Sequence, residues 1–306
     1  MNLKHSTSNI LPHLAILGAN LIYGVNYSIA KDVMPAYIQP FGFIFYRVLG
    51  ALMLFGMIAS FYRQKIAKKD VLLLAVCGFF GVGLNQLSFF YGLNLTSPIN
   101  AGIIMVSNPI MVLLASAIIL KTRITYLKIV GLILGISGAL IILLFKKGFS
   151  FGSDTIVGDS FILLNSASYA VYLVLVKPLM SKYKPITVIT WVFGFGFLFV
   201  MPFGFNEIGE IDWSSFTPDI WWKFGFVIVA TTFLTYLFNI YGLQRLNPSV
   251  VSTYIYLQPL IAALYAILLG KDSFTWIKLI AAILIFAGVY LVSKNPSRKF
   301  EKQRDS

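Results

Sequence analysis

The chain of 306 residues is long enough for about two soluble domains, but its composition excludes a soluble globule. Hydrophobic residues make up 58% of the chain and charged residues 11%, whereas soluble domains are roughly half apolar and a quarter charged. The formal charge is +13, yet the charges lie in short gaps between apolar runs. This pattern indicates membrane topology and argues against a nucleic-acid partner.

Ten continuous apolar stretches each approach the roughly 20 residues that a helix needs to cross a bilayer. They lie at 12–30, 41–61, 71–92, 99–120, 126–145, 157–177, 186–205, 220–243, 249–270 and 275–293. Because these runs do not alternate between apolar and polar residues, they predict helices and not the strands of a barrel. The first run contains Asn20 and Asn26 and lacks a small-residue cleavage site, so it is predicted to be a retained span.

The basic residues predict the orientation of the chain in the membrane. Counted by alternating loops, seventeen Lys and Arg lie on the side of the N-terminus and six on the other side, with Arg47 inside a span. Cytoplasmic loops carry the excess of basic residues. We therefore expect a multi-pass protein of the cell (inner) membrane with both termini in the cytoplasm.

Two segments of the chain match without a gap at an offset of 150 residues. The matches are Tyr91-Gly92-Leu93 with Tyr241-Gly242-Leu243, Pro98 with Pro248, Asn108-Pro109 with Gln258-Pro259, and Gly138 with Gly288. A weaker match at an offset of 146 pairs Tyr23 with Tyr169 and Lys31 with Lys177. Each half then has five spans, and because five is odd the halves enter the membrane in opposite directions. Inverted repeats of this kind are typical of transporters.

The repeat sets the predicted domain organisation. It comprises a cytoplasmic N-terminus (1–11), a first repeat with spans 1–5 (12–145), an external linker (146–156), a second repeat with spans 6–10 (157–293) and a basic cytoplasmic tail (294–306). The predicted fold class is an all-α polytopic membrane protein with ten transmembrane helices in two inverted five-helix repeats. A duplicated structural bundle without a transport role is the alternative.

Two prolines at equivalent positions predict interrupted helices. Pro109 and Pro259 lie near the middle of spans 4 and 9, where proline removes a backbone donor and frees the carbonyls of the preceding turn, those of Met105 and Ile255. A free carbonyl in hydrocarbon needs a partner, water or a ligand. Asn108 and Gln258 place amides directly before the prolines. The pair therefore indicates either a central cavity or two structural kinks satisfied by neighbouring helices.

Arg47 is the one strongly basic residue well inside a predicted span. A charge at that depth costs about 2.5–3.5 kcal/mol on insertion scales and normally faces the protein interior. Its planar fork suits a substrate carboxylate or phosphate. It also suits a structural role on backbone carbonyls or at the outer surface.

Neutral amides and phenols occur throughout the spans. The candidates for a central cavity are Asn20, Tyr23, Asn26, Arg47, Asn85, Gln86, Asn108, Tyr169, Tyr172, Asn239, Tyr254 and Gln258, and the wider set contains Tyr27, Phe89, Asn165, Tyr236 and Tyr256. As a group they suit zwitterionic or polar uncharged solutes with an apolar part, while each one alone is equally explained by interhelical hydrogen bonds. No Asp or Glu lies in a span interior, which argues against export of cationic drugs.

Cofactor and metal chemistry are not expected. Cys77 is the single cysteine, and His5 and His13 are the two histidines, too few for a cysteine or histidine metal centre. The sequence contains no glycine-rich loop of the kind that binds ATP phosphates, so ATP is not expected to drive the protein directly. The expected partners are a small-molecule substrate and the lipid bilayer. The oligomeric state stays open, a monomer included.

These motifs together resemble the EamA-type transporters of the drug/metabolite transporter superfamily, over about residues 14–292. The resemblance is carried by Leu21-Ile22-Tyr23-Gly24-Val25-Asn26-Tyr27, Arg47, Tyr91-Gly92-Leu93, Asn108-Pro109-Ile110-Met111 and Gln258-Pro259-Leu260-Ile261. It implies that spans 3, 4, 8 and 9 frame a cavity, that spans 1, 2, 6 and 7 gate it, and that spans 5 and 10 pack behind. The family often has Gly-Glu at the ends of spans 4 and 9, where this chain has Leu120-Lys121 and Gly270-Lys271.

The predicted function is therefore secondary transport of small metabolites by alternating access, with export of amino acids or related compounds as the leading hypothesis. The direction of transport comes from the resemblance alone. One rival is an anion exchanger for sugar phosphates or nucleotide sugars that uses Arg47 and Lys31. Another is an intramembrane enzyme acting on a lipid-linked substrate. Such an enzyme needs a cluster of acids or histidines at one membrane face. The one acid cluster of this chain, formed by Glu207, Glu210 and Asp212, has no histidine partner, which argues against this rival.

Overall fold

The computed structural model describes residues 4–62, 64–144, 156–268 and 275–294. The predicted linker up to residue 155, the tail beyond Lys294 and the Gly270-Lys271 pair lie outside these ranges.

The described chain folds into helices that correspond to the ten predicted spans, which we label α1 to α10. Six of them are uninterrupted: α1 (Lys4–Val33), α2 (Pro40–Ser60), α5 (Tyr126–Leu144), α6 (Ile156–Lys182), α7 (Pro185–Gly204) and α10 (Trp276–Ser293). Within the described ranges, eight helices have the length and apolarity to cross a membrane. The other two are α1, which is the more polar, and α9, which is interrupted. The all-helical, polytopic fold class is confirmed.

The remaining four helices change geometry partway. The helix α3 (Lys68–Leu95) contains a π-helical segment at Phe79–Gly83, and α8 (Pro218–Arg245) contains one at Val227–Leu234. The helix α4 consists of Pro98–Met105 and Asn108–Ile119, and α9 consists of Pro248–Thr253, a 3₁₀ turn at Tyr254–Tyr256, and Leu257–Leu268. The interruptions thus occur in two pairs, α3 with α8 and α4 with α9, as the repeat requires.

Prolines and hydroxyl side chains define where several helices begin. Proline stands in the first turn of α2, α4, α7, α8 and α9, where its fixed φ favours the helix and its missing N–H is not needed. Ser97 and Thr217 accept hydrogen bonds from the N–H groups of Asn100 (3.1 Å) and Ile220 (3.4 Å). These caps satisfy donors that would otherwise be unpaired at the helix ends.

The two halves pack with pseudo-twofold symmetry. The contact of α3 with α6 has its counterpart in α8 with α1, and the contact of α4 with α6 has its counterpart in α9 with α1. Likewise α3 packs on α7 as α8 packs on α2, while α2–α7 and α5–α10 pair equivalent helices directly. Each half therefore completes its packing only through the other half.

Two lysines show that the weaker match at an offset of 146 also has a structural basis. The Lys31 ammonium donates to the carbonyl of Asn94, at the end of α3 (3.4 Å). The Lys177 ammonium donates to the carbonyls of Gln244 (3.4 Å) and Leu246 (2.8 Å), at the end of α8. Asn94 and Gln244 are themselves equivalent at an offset of 150. Each cation therefore stabilises the carbonyl-rich end of a helix within its own repeat.

Two ion pairs join the halves at the helix ends. Lys182, at the end of α6, pairs with Asp70, at the start of α3 (2.9 Å). Lys223, in the first turns of α8, pairs with Asp32, at the end of α1 (2.8 Å), and with Asp219 (2.7 Å). Because successive spans alternate in direction, these two clusters lie at opposite faces of the bundle.

Candidate functional site

A polar cavity of about 80 Å³ lies between the two halves. Since one water needs about 10–15 Å³ of such volume, it has room for several waters or a compact solute. Seven helices contribute to its wall: α1, α2, α3, α4, α6, α8 and α9. Its lining residues are Asn20, Tyr23, Asn26, Arg47, Asn85, Gln86, Phe89, Met105, Asn165, Tyr169, Thr231, Tyr236, Asn239, Val251, Ile255 and Gln258.

Most of the residues predicted for a cavity meet in this one. Nine of the twelve candidates line it: Asn20, Tyr23, Asn26, Arg47, Asn85, Gln86, Tyr169, Asn239 and Gln258. Met105 and Ile255, whose carbonyls the two prolines were predicted to free, also line it, and the helices are interrupted close to both residues. Their role in binding remains a prediction, but their common location follows directly from the structure.

Three predicted lining residues lie outside the cavity. Asn108 is fully buried between α4 and α6, where its amide donates to the carbonyl of Ser166 (2.8 Å). The Tyr172 ring packs against Gly81, in the space that a side chain there would fill. The Tyr254 hydroxyl instead meets the His13 ring nitrogen (2.7 Å).

Sequence reasoning included Asn165, Tyr236 and Phe89 in the wider polar and aromatic set, and missed Thr231 and Val251 altogether. Thr231 lies in an apolar run, and in a regular helix a threonine hydroxyl is usually satisfied by a carbonyl of the preceding turn. It lies in the π-helical segment of α8 instead, and its hydroxyl has no partner there. The sequence did offer one signal for Thr231, since it is equivalent to Gly81 at the repeat offset of 150 residues.

The pseudo-twofold axis passes through the cavity wall. The Gln86 amide donates to the Tyr236 hydroxyl (2.6 Å), and these residues are equivalent at an offset of 150. A contact between a residue and its own repeat equivalent lies on the axis that relates the repeats. The Tyr236 hydroxyl in turn donates to the carbonyl of Gly81 (2.9 Å), in the π-helical segment of α3.

The two amides before the helix-breaking prolines make equivalent contacts in different surroundings. Gln258 donates to the side-chain oxygen of Asn20 (2.8 Å), as Asn108 donates to the backbone of Ser166. Asn20 and Ser166 are equivalent at an offset of 146. The α1–α9 contact lines the cavity and the α4–α6 contact does not. The cavity is therefore asymmetric although the scaffold around it is nearly symmetric.

Arg47 contributes the one charged side chain found in the cavity wall among the described residues. It is 3% exposed, its Nε donates to Thr232 Oγ1 (2.5 Å), and its guanidinium lies 4.5 Å from the centre of the Phe90 ring. Its Nη1 has no hydrogen-bond partner. The cation is thus anchored at Nε and unsatisfied at one outer nitrogen.

Three further polar atoms in the cavity wall lack a partner: Asn26 Oδ1, Asn165 Oδ1 and Thr231 Oγ1. The orientation of Asn165 is set by a reciprocal contact with Asn85, in which each amide donates to the other's backbone carbonyl (2.9 and 3.4 Å). Buried polar groups in proteins are normally paired. With Arg47 Nη1, four unpartnered polar atoms therefore line this cavity, where polar ligand atoms or water can pair with them.

Apart from Arg47, three residues behind the two rival functions, Glu207, Asp212 and Lys31, make structural contacts outside the cavity. Glu207 accepts a hydrogen bond from the N–H of Gly42 (2.7 Å), and Asp212 caps a one-turn helix through Ser214 (3.0 Å). The Asp212–Ser214 hydrogen bonds also lower the pKa of that exposed carboxyl. Lys31 binds a helix end and is absent from the cavity wall. Within the described ranges, no cluster of metal-ligating side chains occurs.

The fold and the cavity define a class: an internally duplicated, all-helical membrane protein whose halves meet around a polar site. The sequence matches the EamA-like transporter family over residues 10–144 and 156–294. The chain therefore belongs to that family. It is a multi-pass membrane transporter and not an enzyme.

Relatives and a solved structure agree with this assignment. The chain is 28% identical to an uncharacterized transporter of Archaeoglobus fulgidus, over 93% of this chain and 98% of the relative. It is 24% identical to the uncharacterized transporter YetK of Bacillus subtilis, over 91% of this chain and 83% of the relative, and 24% identical to the Arabidopsis thaliana protein WALLS ARE THIN 1, over 94% and 84%. One crystal structure superimposes with a TM-score of 0.74 at 17% identity, covering 96% of this chain and 99% of that one. At that identity the superposition shows the fold alone.

Proposed function

We propose that this protein is a secondary transporter that exports amino acids or related small metabolites by alternating access. One observation carries the proposal: the polar cavity lies where equivalent residues of the two inverted halves, Gln86 and Tyr236, touch each other. In inverted-repeat transporters the halves exchange arrangements around a fixed central site, which opens it to each side in turn. A cavity on the pseudo-twofold axis is placed for that exchange.

The chemistry of the wall supports a small polar solute with an apolar part. Amides and phenols dominate the lining, with Phe89, Val251 and Ile255 supplying apolar surface. The described wall contains no carboxylate that would hold a cationic drug or exchange it for a proton. A zwitterion needs one cationic contact and several neutral hydrogen-bonding groups, and the wall offers both.

The proposal includes an orientation and a division of labour among the helices. We place the protein in the cell (inner) membrane with both termini in the cytoplasm, since the basic residues are concentrated on that side. Helices α3, α4, α8 and α9 would frame the site, α1, α2, α6 and α7 would gate it, and α5 and α10 would support them. Residues of α1, α2 and α6 line the cavity, while the described part of α7 contributes none.

Counterflow in proteoliposomes tests the proposal. Purified full-length protein is reconstituted, loaded with an excess of one unlabelled compound, and supplied with the same compound in labelled form, across a panel of amino acids and other metabolites. We expect accumulation of at least one amino acid, strongly reduced by Asn239→Leu in the cavity wall. The control is Gly56→Ala, where an added methyl group would meet no atom within 4 Å. If no amino acid in the panel accumulates, the proposed substrate class is wrong.

A further inference from the structure

The Arg47 guanidinium is the feature of the cavity that its own surroundings explain least. The side chain is almost fully buried, and none of the residues described in the cavity wall is acidic. Its Nε and its face are already engaged by Thr232 and Phe90. These two contacts fix the plane of the group and leave Nη1 without a partner.

A purely structural cation in this protein has a different environment. Lys31 and Lys177 are also partly buried cations within helices, and both direct their ammonium groups onto carbonyls at helix ends. Their charge is compensated by the carbonyl-rich helix terminus. Arg47 Nη1 has no such acceptor, although five N–H donors make arginine well suited to bind carbonyls. The missing acceptor is therefore one that the protein does not supply.

The unpartnered oxygens in the same cavity have the complementary character. Asn26 Oδ1 and Asn165 Oδ1 are acceptors without donors, and both residues are buried. The Asn165 amide nitrogen is already used on the Asn85 carbonyl (2.9 Å), so its free atom is the oxygen. Gln258 and Asn20, by contrast, satisfy each other (2.8 Å). The cavity thus offers one cationic donor, two amide acceptors and the Thr231 hydroxyl, which can donate or accept.

We propose that the transported solute carries a single carboxylate that binds Arg47 Nη1, and that its N–H donors bind the side-chain oxygens of Asn26 and Asn165. The inference deepens the proposed transport function and rests on it. Arginine pairs with carboxylates through short, charge-assisted hydrogen bonds. A phosphate ester with two negative charges would leave one charge uncompensated beside a single cation, so a monocarboxylate is favoured over a sugar phosphate.

The first test compares matched probes on the unmodified protein. Leucine, valine, threonine and phenylalanine are each tested in counterflow beside their carboxamides, beside the corresponding fatty or hydroxy acids that lack the amino group, and beside glycerol phosphate. We expect the carboxamides to bind about tenfold more weakly than the acids, because the carboxamide oxygen still accepts a hydrogen bond from Arg47 but carries no negative charge to strengthen it. Equal transport of acids and carboxamides, or preference for glycerol phosphate, would overturn the inference while leaving transport itself intact.

The probes also separate the two claims. If acids without an amino group are transported and amino acids are not, the amino-acid proposal fails and the Arg47 assignment survives. If amino acids are transported with no dependence on their carboxylate, the amino-acid proposal survives and the Arg47 assignment fails. If no carboxylate-bearing probe is transported, both are wrong.

The second test uses variants of Arg47. R47Q should remove the preference for acid over carboxamide, and R47K should retain most of it, because it keeps the charge but loses the planar fork. K128Q removes a cation from α5, outside the cavity wall, and should leave the preference unchanged. An R47Q protein that still discriminates as the unmodified protein does would contradict the inference. If R47Q does not fold, the comparison of acid with carboxamide on the unmodified protein still decides.

Discussion

The helix pair α5–α10 and the wall of the cavity represent two opposite ways of packing helices. In α5–α10, glycines bring the backbones together: a methyl group at Gly288 would lie 2.6 Å from the carbonyl oxygen of Gly131, and one at Gly138 would lie 2.6 Å from that of Ala281. The cavity wall instead holds interrupted helices, bulky phenols and unpartnered polar atoms.

This difference distinguishes the helix pair that supports the fold from the cavity wall proposed to bind the solute. Close backbone packing of small residues is a stable way to join helices in lipid, where polar groups are not needed to drive association. Unpartnered buried polar groups are costly, and natural proteins keep few of them. The protein therefore combines regular packing at its edge with a central cavity whose wall holds four unpartnered polar atoms that a solute can satisfy.

The largest expected effect comes from overpacking the supporting pair. Gly288→Leu would force a side chain into the backbone of α5 and should lower the free energy of unfolding by about 3 kcal/mol. Gly56→Leu, in open space on α2, should have little effect. Thermal unfolding in detergent, followed by the fraction of monodisperse protein, measures both. Equal stability of the two variants would show that α5–α10 is not tightly packed.

A smaller loss of stability with a large loss of transport is expected for Tyr236→Phe. The change removes a hydroxyl that accepts from Gln86 and donates to Gly81, two contacts that together contribute about 1 kcal/mol. Because the hydroxyl lies on the axis between the halves, we expect counterflow to fall about tenfold. Tyr126→Phe, exposed on α5, provides the control. Unchanged transport by Tyr236→Phe would remove this contact from the mechanism.

The repeat-equivalent amides offer a sharper comparison. Gln258→Leu should reduce transport several-fold, since Gln258 lines the cavity, and should also lower the free energy of unfolding by about 0.6 kcal/mol because its hydrogen bond to Asn20 is lost. Asn108→Leu should lower the free energy of unfolding by about 0.6 kcal/mol, the typical value for one interhelical hydrogen bond, and leave transport per folded molecule unchanged. Both quantities are measured on the same reconstituted samples. Similar transport defects in the two variants would contradict the asymmetry of the site.

The smallest effects are expected at the ion pairs of the two faces. Lys182→Gln breaks one ion pair and Lys223→Gln breaks two, and exposed ion pairs contribute about 0–1 kcal/mol each. We expect unfolding to change within that range, and each variant to favour opening of its own face. Labelling of a cavity cysteine from each face measures the shift. A shift toward the same face in both variants would argue against two opposed gates.

Much of the scaffold could be predicted from the sequence because lipid imposes simple rules on it. Runs of about 20 apolar residues predicted the positions of the spans. The offset of 150 residues predicted that α3 and α8 are equivalent in the repeat, as are α4 and α9. Amide side chains are rare within apolar runs, and most of the amides predicted from the sequence to line a cavity do meet in the cavity. Depth along a helix was therefore well determined by the sequence.

The direction in which individual side chains point could not be predicted from the sequence. Asn108 and Gln258 share the same register, yet only Gln258 reaches the cavity, because its partner is the Asn20 side chain and that of Asn108 is the Ser166 backbone. Tyr172 fills the groove left by Gly81, a match between distant residues that periodicity does not contain. Thr231 has an unpartnered hydroxyl in a π-helical segment, a geometry that propensity does not predict.

Cysteine accessibility tests the central claim most directly. Cys77, the one free cysteine, is buried and is first replaced by alanine. Asn26→Cys in the cavity wall and Ala139→Cys in the α5–α10 support are then treated with a membrane-impermeant maleimide in vesicles of either orientation. We predict that Asn26→Cys reacts from both faces, at rates that a transported amino acid changes, while Ala139→Cys reacts from neither. Labelling of Asn26→Cys from one face alone, whatever solute is present, would contradict a site that opens to both sides in turn.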